Sequence, residues 1–496
     1  MSTEIIDGIL SAFAPLAILA TALGVMMGII FGVLPGLTAT MGVALLIPLT
    51  FDMPPVIAFS ALLGVYIGAV YAGSITATLI GTPGTAAAAA ALLEGPALTK
   101  KGQAKKALTM TTIASSFGGL FSCLALILIA PTLANIALQF GPPEYFALAF
   151  FGLSIVASVS GQSLIRGVIA GLIGLFIATI GLDPVNGINR FTFNNPNLLN
   201  GVEIVPALIG LFAISEVLKR LEESEVVESK VKSFAEGLKL NELKKNVINL
   251  FRSSAIGTFI GIIPAAGSGI AAFVAYNEKK RASKHKEKFG KGNIDGMAST
   301  ESANSAVTGG ALIPLLTFGI PGDVITAVML GALMIQGLTP GPTLFTDNVS
   351  VMYGIFFALI LANIFLLIFG LMGTRIFPKI LNVPENILMP VIVVLCVVGS
   401  FSINNSFFDV LVMFIFGIIG YLMVKMKLPL PPMLLAIILL PLLESNFRRA
   451  MVLSGNDITI FLTRPISMIF IIITALVAIG IIIREIRQTR EEIKNG

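Results

Sequence analysis

Hydroxyl, amide and carboxyl side chains gather in this sequence where prolines and glycines interrupt long apolar runs. The four interruptions are GVLPGLT from Gly32, GTPG from Gly81, GIIPAAGSG from Gly261 and GIPGD from Gly319. Neutral oxygen atoms suit an alkali cation and also hydrogen-bond an anionic substrate, although close helix packing is an alternative reason for such small residues. The candidate binding residues are Pro35, Gly36, Thr38, Thr40, Ser74, Thr82, Pro83, Gly84, Pro264, Gly267, Ser268, Ser302, Asn304, Ser305, Pro321, Gly322 and Asp323.

Two acidic residues of the second half need an explanation, because a carboxylate at the centre of a bilayer costs about 2.5–3.5 kcal/mol on insertion scales. Asp323 directly follows GIPG, and we expect it to help hold a cation or a proton. Glu301 lies between the third and fourth interruptions and near a lysine-rich loop. A salt bridge or a helix cap explains Glu301 as well as a role in a site does. We expect Na+ to bind near Asn304, Ser305, Asp323 and Thr82.

The elements that must position these residues are membrane-spanning helices. Of the 496 residues, 56% are hydrophobic and 12% are charged, whereas roughly a quarter of the residues in a soluble protein are charged. No Lys or Arg precedes the first apolar run, so we expect no cleaved signal peptide. Nine regular segments are long and apolar enough to span a bilayer. They are 105–131, 144–160, 163–181, 201–219, 350–372, 387–401, 405–424, 430–445 and 465–483.

Two further regions, 24–95 and 253–342, differ from these segments because Gly, Pro, Ser and Thr interrupt their apolar runs. We expect the resulting pieces to be too short to cross a membrane. The first and third interruptions align at one constant offset, and the second and fourth align at nearly the same offset. Two matches in the same order predict an internal repeat.

Basic loops indicate that the second region is inverted relative to the first, because short loops rich in Lys and Arg stay on the cytoplasmic side. The loop NEKKRASKHKEKFGK follows the third interruption, whereas its counterpart FDMPP has no basic residue. After the next interruption of each region the charges reverse, with KKGQAKK in the first region and LTPGPTLFTDNVS in the second. The sequence therefore predicts an N-terminus outside and a cytoplasmic C-terminus, with Arg448, Arg449 and Arg464 as exceptions on the outer side.

The predicted fold class is an all-α polytopic membrane protein with two inverted repeats, each with re-entrant or broken helices plus regular spans. Interrupted helices that face each other near the midplane are typical of secondary transporters, whose helix ends bind anions and coupling ions. We divide the sequence into interrupted regions, regular spans and a charged, partly helical cytoplasmic linker. In chain order the parts are 1–95 (interrupted), 96–218 (regular), 219–252 (linker), 253–342 (interrupted) and 343–496 (regular).

Three long motifs carry a family resemblance: GVLPGLTATMGVALLIPLTF, YAGSITATLIGTPGTAAA, and the run from GIIPAAGSGIAAFVAYNEKKR through ESANSAVTGGALIPLLTFGIPGD. They resemble the large membrane subunit of the tripartite tricarboxylate transporters over almost the whole chain. The resemblance implies a secondary transporter of the bacterial inner membrane that imports citrate or related carboxylates, usually with Na+ and without another cofactor. It implies two partners, a small four-span membrane subunit and an extracytoplasmic solute-binding protein. It also implies an elevator-type design, in which a transport domain moves against a scaffold.

Other functions remain alternatives at this point. An H+-coupled carrier, an uncoupled carrier or a channel for another small organic anion fits the same pattern. An enzyme is not expected, because the one histidine, His285, lies in the lysine-rich loop and cannot serve as a base within the membrane. The sequence has no GxxxxGK[ST] motif, so we expect an ion gradient to supply the energy. Lys and Arg cluster in loops, which gives no reason to expect a nucleic-acid partner, and a homodimer is left open.

Overall fold

The computed structural model describes residues 2–34, 37–82, 84–159, 164–183, 186–222, 237–264, 266–374, 377 and 385–479. In the first half the helices are α1 (Ser2–Ala12), α2 (Pro15–Val33), α3 (Ala39–Thr50), α4 (Pro55–Ile80), α5 (Gly95–Lys100), α6 (Ala104–Ala137), α7 (Pro142–Val159), α8 (Leu164–Ala178), α9 (Ile204–Ile209) and α10 (Ser215–Glu222). A 3-10 segment (Ala86–Leu93) precedes α5, and a π-helical turn (Gly210–Ile214) joins α9 to α10.

In the second half the helices are α11 (Leu240–Ile262), α12 (Gly267–Ala282), α13 (Ile294–Phe318), α14 (Val324–Ile335), α15 (Leu344–Asp347), α16 (Val349–Gly373), α17 (Glu385–Asn404), α18 (Phe407–Lys425), α19 (Leu430–Leu453), α20 (Ile460–Thr463) and α21 (Pro465–Ile479). Two short antiparallel strands, β1 (Gly181–Leu182) and β2 (Asn189–Arg190), form a hairpin after α8. Residues 223–236 of the predicted linker lie outside the described residues.

The predicted spans agree in part with the helices of the structure. Among the described residues, six helices are long and apolar enough to cross a membrane, namely α2, α4, α6, α16, α18 and α19. Five shorter apolar helices or helix segments accompany them, in α3, α8, α14, α17 and α21. Four of the nine predicted segments coincide with spanning helices, namely α6, α16, α18 and α19. The other five coincide with helices that do not meet this condition among the described residues: α7, α8, the α9 to α10 stretch, α17 and α21. The chain is therefore an all-α polytopic membrane protein.

One expectation was wrong: the apolar runs of 24–95 are not all too short to cross a membrane, because α4 is a helix of 26 residues. Its hydroxyl residues do not interrupt it. Thr76 and Thr78 donate to carbonyl oxygens one turn earlier in the same helix, at 2.8 and 2.7 Å. Gly64 and Gly68 lie against the backbone of α2. Small residues that allow close helix packing thus produce the same sequence pattern as a helix break.

The chain divides into two compact units. Unit 1 consists of Met1–Ala134 and Glu216–Ile403, and unit 2 consists of Asn135–Ser215 and Asn404–Gly496. Each unit therefore combines one segment from each half of the chain. Both interrupted regions belong to unit 1.

Glycines set the helix spacing in unit 1. A Cβ atom at Gly28 of α2 would lie 2.4 Å from the carbonyl oxygen of Val65 in α4. A Cβ atom at Gly257 of α11 would lie 2.3 Å from the carbonyl oxygen of Ala303 in α13. The two glycines occupy matching positions in the repeated motifs, and so do Val65 and Ala303. The same close packing therefore occurs in both interrupted regions.

Unit 2 packs α7 and α8 against α19, and the π-helical turn against α18. Its apolar core includes Leu211 and Met433. Arg448, which the loop pattern placed on the outer side as an exception, donates to Asp183 at 2.9 Å and to Glu444 at 2.6 Å. This pairing stabilises a cation that the loop pattern alone did not explain.

Candidate binding site along helices α4 and α13

The first interruption of each region separates two helices and opens a new helix N-terminus. Thr38 caps α3, because its hydroxyl accepts a hydrogen bond from the Met41 N–H at 3.1 Å. Thr40, in the first turn of α3, is buried. Pro35 and Gly36 lie outside the described residues.

In the second region the corresponding helix is α12. Pro264 is buried two residues after the end of α11, and Gly267 begins α12 with a φ of 70°. That angle is left-handed and favours glycine. Ser268 is half-buried in the first turn. The first turns of α3 and α12 contain no acidic residue, so the partial positive charge at each of these two N-termini is not offset by an acid in its first turn.

The second interruption follows the long helix of each region. α4 ends at Gly81 with a φ of 75°, and α13 ends at Gly319 with a φ of 72°, as in helix C-caps that use glycine. A Cβ atom at Gly84 would lie 2.5 Å from the carbonyl oxygen of Gly32. Its counterpart Gly322 makes a related approach to the backbone at the end of α11. Both interruptions of a region therefore meet at one place.

The remaining residues of the second interruptions differ in exposure. Thr82, expected near Na+, is exposed, whereas Pro321 is buried. Pro83 lies outside the described residues.

Asp323 caps the N-terminus of α14. Its Oδ1 accepts a hydrogen bond from the Thr326 N–H at 2.7 Å, and its backbone N–H donates to the Thr326 hydroxyl at 2.8 Å. Its Oδ2 accepts a hydrogen bond from the Tyr66 hydroxyl of α4, also at 2.7 Å. Both carboxyl oxygens therefore have protein donors, and the acid offsets the positive end of α14.

Asn304 lies on α13 where this helix faces α4. Its Nδ2 donates to the Val70 carbonyl oxygen over a long 3.5 Å, and its Oδ1 is buried without a hydrogen-bond partner among the described residues. The neighbouring Ser305 hydroxyl is buried too, and no described residue forms a hydrogen bond with it. Ser302 points elsewhere, because its hydroxyl bonds the Ser254 hydroxyl of α11 at 2.7 Å. Ser302 thus stabilises the α11–α13 packing.

Glu301, one turn before Asn304, is 1% exposed. Its carboxyl interacts with the hydroxyls of Ser74 on α4 and Ser115 on α6. Within the described parts of the chain, no hydrogen bond of acceptable distance and angle is formed by Glu301 Oε2, Ser74 Oγ or Ser115 Oγ. The three groups lie together with unsatisfied oxygen atoms.

These groups line one polar seam between the two interrupted regions. The polar seam consists of Tyr66, Val70, Ser74, Glu301, Asn304 and Asp323. Its three α4 residues recur every four positions, so they share one helix face over about 12 Å. The structure therefore brings Ser74, Asn304 and Asp323 of the predicted residues together along one line, and it assigns Thr38 and Ser302 to local capping and packing.

Sequence reasoning missed three polar residues of this part of the fold: Tyr66, Ser115 and Glu94. Glu94 is fully buried. Its carboxyl accepts hydrogen bonds from the Tyr276 hydroxyl at 2.8 Å and from the backbone N–H groups of Gly290, Gly292 and Asn293, each at 2.7 Å. A single acid after the alanine run 86–91 was a visible signal. Tyr66 and Ser115 lie in regular apolar helices, where the sequence carries no signal that singles them out.

Helical architecture with a buried polar seam defines this chain as a polytopic membrane protein with a polar site inside it. The chain belongs to the Tripartite tricarboxylate transporter TctA family, whose sequence model matches residues 18–435. This is a family of transporter membrane subunits and not of enzymes, and membership implies a tripartite transporter with other subunits.

Two proteins of Agrobacterium vitis are similar to the chain. The "Uncharacterized 52.8 kDa protein in TAR-I ttuC' 3'region" is 36% identical over 487 residues, which cover 98% of this chain and 97% of that protein. The "Uncharacterized protein in TAR-II ttuC' 3'region" is 37% identical over 237 residues, which cover 48% of this chain and 98% of that protein. No solved structure matches the chain.

Proposed function

We propose that the chain is the large subunit that imports tricarboxylates or related carboxylates, such as citrate, across the bacterial inner membrane by Na+ symport. The polar seam carries this proposal, because it buries Asn304 and Glu301 with oxygen atoms that have no partner in the described part of the chain, in a member of a transporter family. A buried polar group without a partner is costly in a membrane protein unless it serves a substrate or ion pathway.

The substrate carboxylates bind at the N-termini of α3 and α12 in this proposal. These N-termini follow matching interruptions, and neither first turn has an acid. Backbone N–H groups and the helix dipole can therefore face an anion there. The N-terminus of α14 is different, because the Asp323 carboxylate already accepts hydrogen bonds there. In this proposal Asp323 has a structural role and orients Tyr66 and α14. Na+ binds along the rest of the polar seam.

Inverted repeats explain the paired geometry best. The glycine contacts of α2 on α4 correspond to those of α11 on α13, and both long helices end on a left-handed glycine. The basic loops lie at opposite ends of the matching helices, which supports inversion, an N-terminus outside and a cytoplasmic C-terminus. The division of the sequence into five parts stays a prediction.

An elevator mechanism assigns the moving role to unit 1 and the scaffold role to unit 2. Unit 1 contains both interrupted regions, and each unit takes one segment from each half of the chain. Two repeats that each supply one part of the carrier and one part of the scaffold would produce this division. The proposed complex also contains a small four-span membrane subunit and an extracytoplasmic solute-binding protein.

Uptake of labelled citrate into proteoliposomes tests the function. The chain is reconstituted with its small membrane partner, with and without the binding protein and with and without an inward Na+ gradient. We expect uptake that requires both. Uptake that ignores Na+ would replace symport with H+ coupling or uncoupled passage, and no uptake of any di- or tricarboxylate would overturn the substrate class.

The Asn304→Ala variant is expected to lose uptake by at least about tenfold while inserting normally, because the unpartnered Oδ1 is then no longer available to ligand. Pro321→Ala, at the second interruption of the same region, is expected to have the same effect. Initial rates at matched protein density measure both variants. Asn197→Ala, at an exposed asparagine, is the control and should transport normally. Wild-type rates in both Asn304→Ala and Pro321→Ala would contradict the assignment of the site.

A further inference from the structure

We propose that Glu301, Ser74 and Ser115 form a Na+ site, with the Glu301 carboxylate as the charged ligand. This inference rests on the proposed function, which requires a coupling ion. The sequence-based expectation placed Na+ near Asn304, Ser305, Asp323 and Thr82, whereas the ligands proposed here are Glu301, Ser74 and Ser115. The site brings together α4 and α6 of the first half of the chain and α13 of the second half.

Burial is the first argument. Glu301 is 1% exposed, and Ser74 and Ser115 are fully buried. An isolated carboxylate in such surroundings is strongly unfavourable, so it must bind a cation or carry a proton. The interpretation of Glu301 as a salt bridge to the lysine-rich loop finds no support in its contacts, since the described groups that interact with its carboxyl are hydroxyls.

Unsatisfied oxygen atoms are the second argument. Each buried polar atom without a partner costs about 1–3 kcal/mol, so native structures rarely place several together. Glu301 Oε2, Ser74 Oγ and Ser115 Oγ are all unpartnered among the described residues. Asn304 Oδ1 is a fourth such atom, one helical turn beyond Glu301. Na+ takes oxygen ligands and would satisfy the three atoms of Glu301, Ser74 and Ser115 together.

Charge is the third argument. The carboxylate and Na+ together are neutral, so the filled site adds no net charge to the membrane interior. The titratable neighbour that interacts with Glu301 among the described residues is Tyr71. The hydroxyl of Tyr71 shares a hydrogen bond of 2.8 Å with Thr112. It is a neutral group and does not compete with Na+ for the carboxylate.

The contrast with Asp323 identifies Glu301 as the better cation ligand. Both Asp323 carboxyl oxygens accept hydrogen bonds from Tyr66 and from the α14 backbone. Binding of Na+ there would have to displace these donors. Na+ at Glu301 displaces no hydrogen bond of Oε2, because this atom has none within the described structure.

Equilibrium binding of radioactive Na+ to the purified chain in nanodiscs tests the site. We compare the wild type, Glu301→Gln and the double variant Ser74→Ala/Ser115→Ala. We expect both variants to bind Na+ at least about tenfold more weakly. They should also lose the increase in melting temperature that Na+ gives the wild type. Ser402→Ala, at an exposed hydroxyl, is the control and should bind Na+ as the wild type does.

The double variant guards against a folding defect, because among the described residues neither hydroxyl makes a hydrogen bond of acceptable distance and angle that alanine would break. Wild-type affinity for Na+ in Glu301→Gln, or no Na+ binding by the wild type, would overturn the site. A different result would contradict the proposed function. Na+ binding that depends on Glu301, without uptake of any carboxylate, would leave the site standing and remove the substrate class.

Discussion

Alanine at Gly28 is expected to prevent unit 1 from folding, and alanine at Gly257 is expected to do the same. The added Cβ atom would lie 2.4 Å from the Val65 oxygen in the first variant and 2.3 Å from the Ala303 oxygen in the second. Overpacking normally costs about 1–3 kcal/mol because side chains adjust. Here the opposing atoms belong to helix backbones, so whole helices must separate, and we expect a larger loss.

The yield of monodisperse protein and its melting temperature in detergent measure this effect. Gly171→Ala is the matched control, since a Cβ at this position of α8 meets no atom within 4 Å. Alanine in a helix interior is favoured over glycine by roughly 0.5–1 kcal/mol, so the control should be at least as stable as the wild type. Wild-type yield and melting of either glycine variant would contradict the packing argument. A defect in only one of them would contradict equal roles for the two helix pairs.

The sequence predicted the helical membrane architecture because apolar runs of sufficient length have few other solutions in a bilayer. It also located the points where helices end, after Val33 and Ile262 and at Gly81 and Gly319. These features depend on local chemistry, namely the conformational freedom of glycine and the lack of a proline N–H.

The length of α4 and the partners across helices were not predictable in the same way. Gly64 and Gly68 resemble helix breakers until α2 is known to pack against them. Ser302 and Asn304 are two positions apart on α13, yet Ser302 bonds α11 and Asn304 faces α4. Tertiary packing decides which neighbour each side of a helix contacts. A run of small polar residues has no hydrophobic periodicity that would distinguish the sides in the sequence.

Replacement of Glu94 by glutamine is expected to release the loop between α12 and α13. Glu94 Oε2 accepts hydrogen bonds from the N–H groups of Gly292 and Asn293, and Oε1 accepts them from Gly290 and Tyr276. A glutamine has only one acceptor oxygen. Its NH2 group takes the place of the second oxygen and, being a donor itself, faces donors that it cannot pair with. Each buried donor left unpaired costs about 1–3 kcal/mol, and we expect the melting temperature to fall by at least about 5 °C.

Two variants separate this role from a general effect of charge. Glu287→Gln removes an exposed acid in the same loop, and it should leave melting unchanged. Tyr276→Phe removes one of the four donors and should cause a smaller loss than Glu94→Gln. Limited trypsin digestion provides a local measurement, because the loop contains Lys286, Lys288 and Lys291. Faster cleavage there in Glu94→Gln is the expected result, and wild-type digestion and melting would contradict it.

This contact also bears on how unit 1 can act as one body. Glu94 follows the second interruption of the first region, whereas the loop that it holds belongs to the second region. A carrier that moves as a unit needs such connections, because the two regions are separate along the chain. Citrate uptake by Glu94→Gln should therefore fall more than Na+ binding at Glu301, since the Na+ ligands lie on helices that do not contain Glu94. Equal loss of both would instead indicate that the whole of unit 1 depends on this one carboxylate.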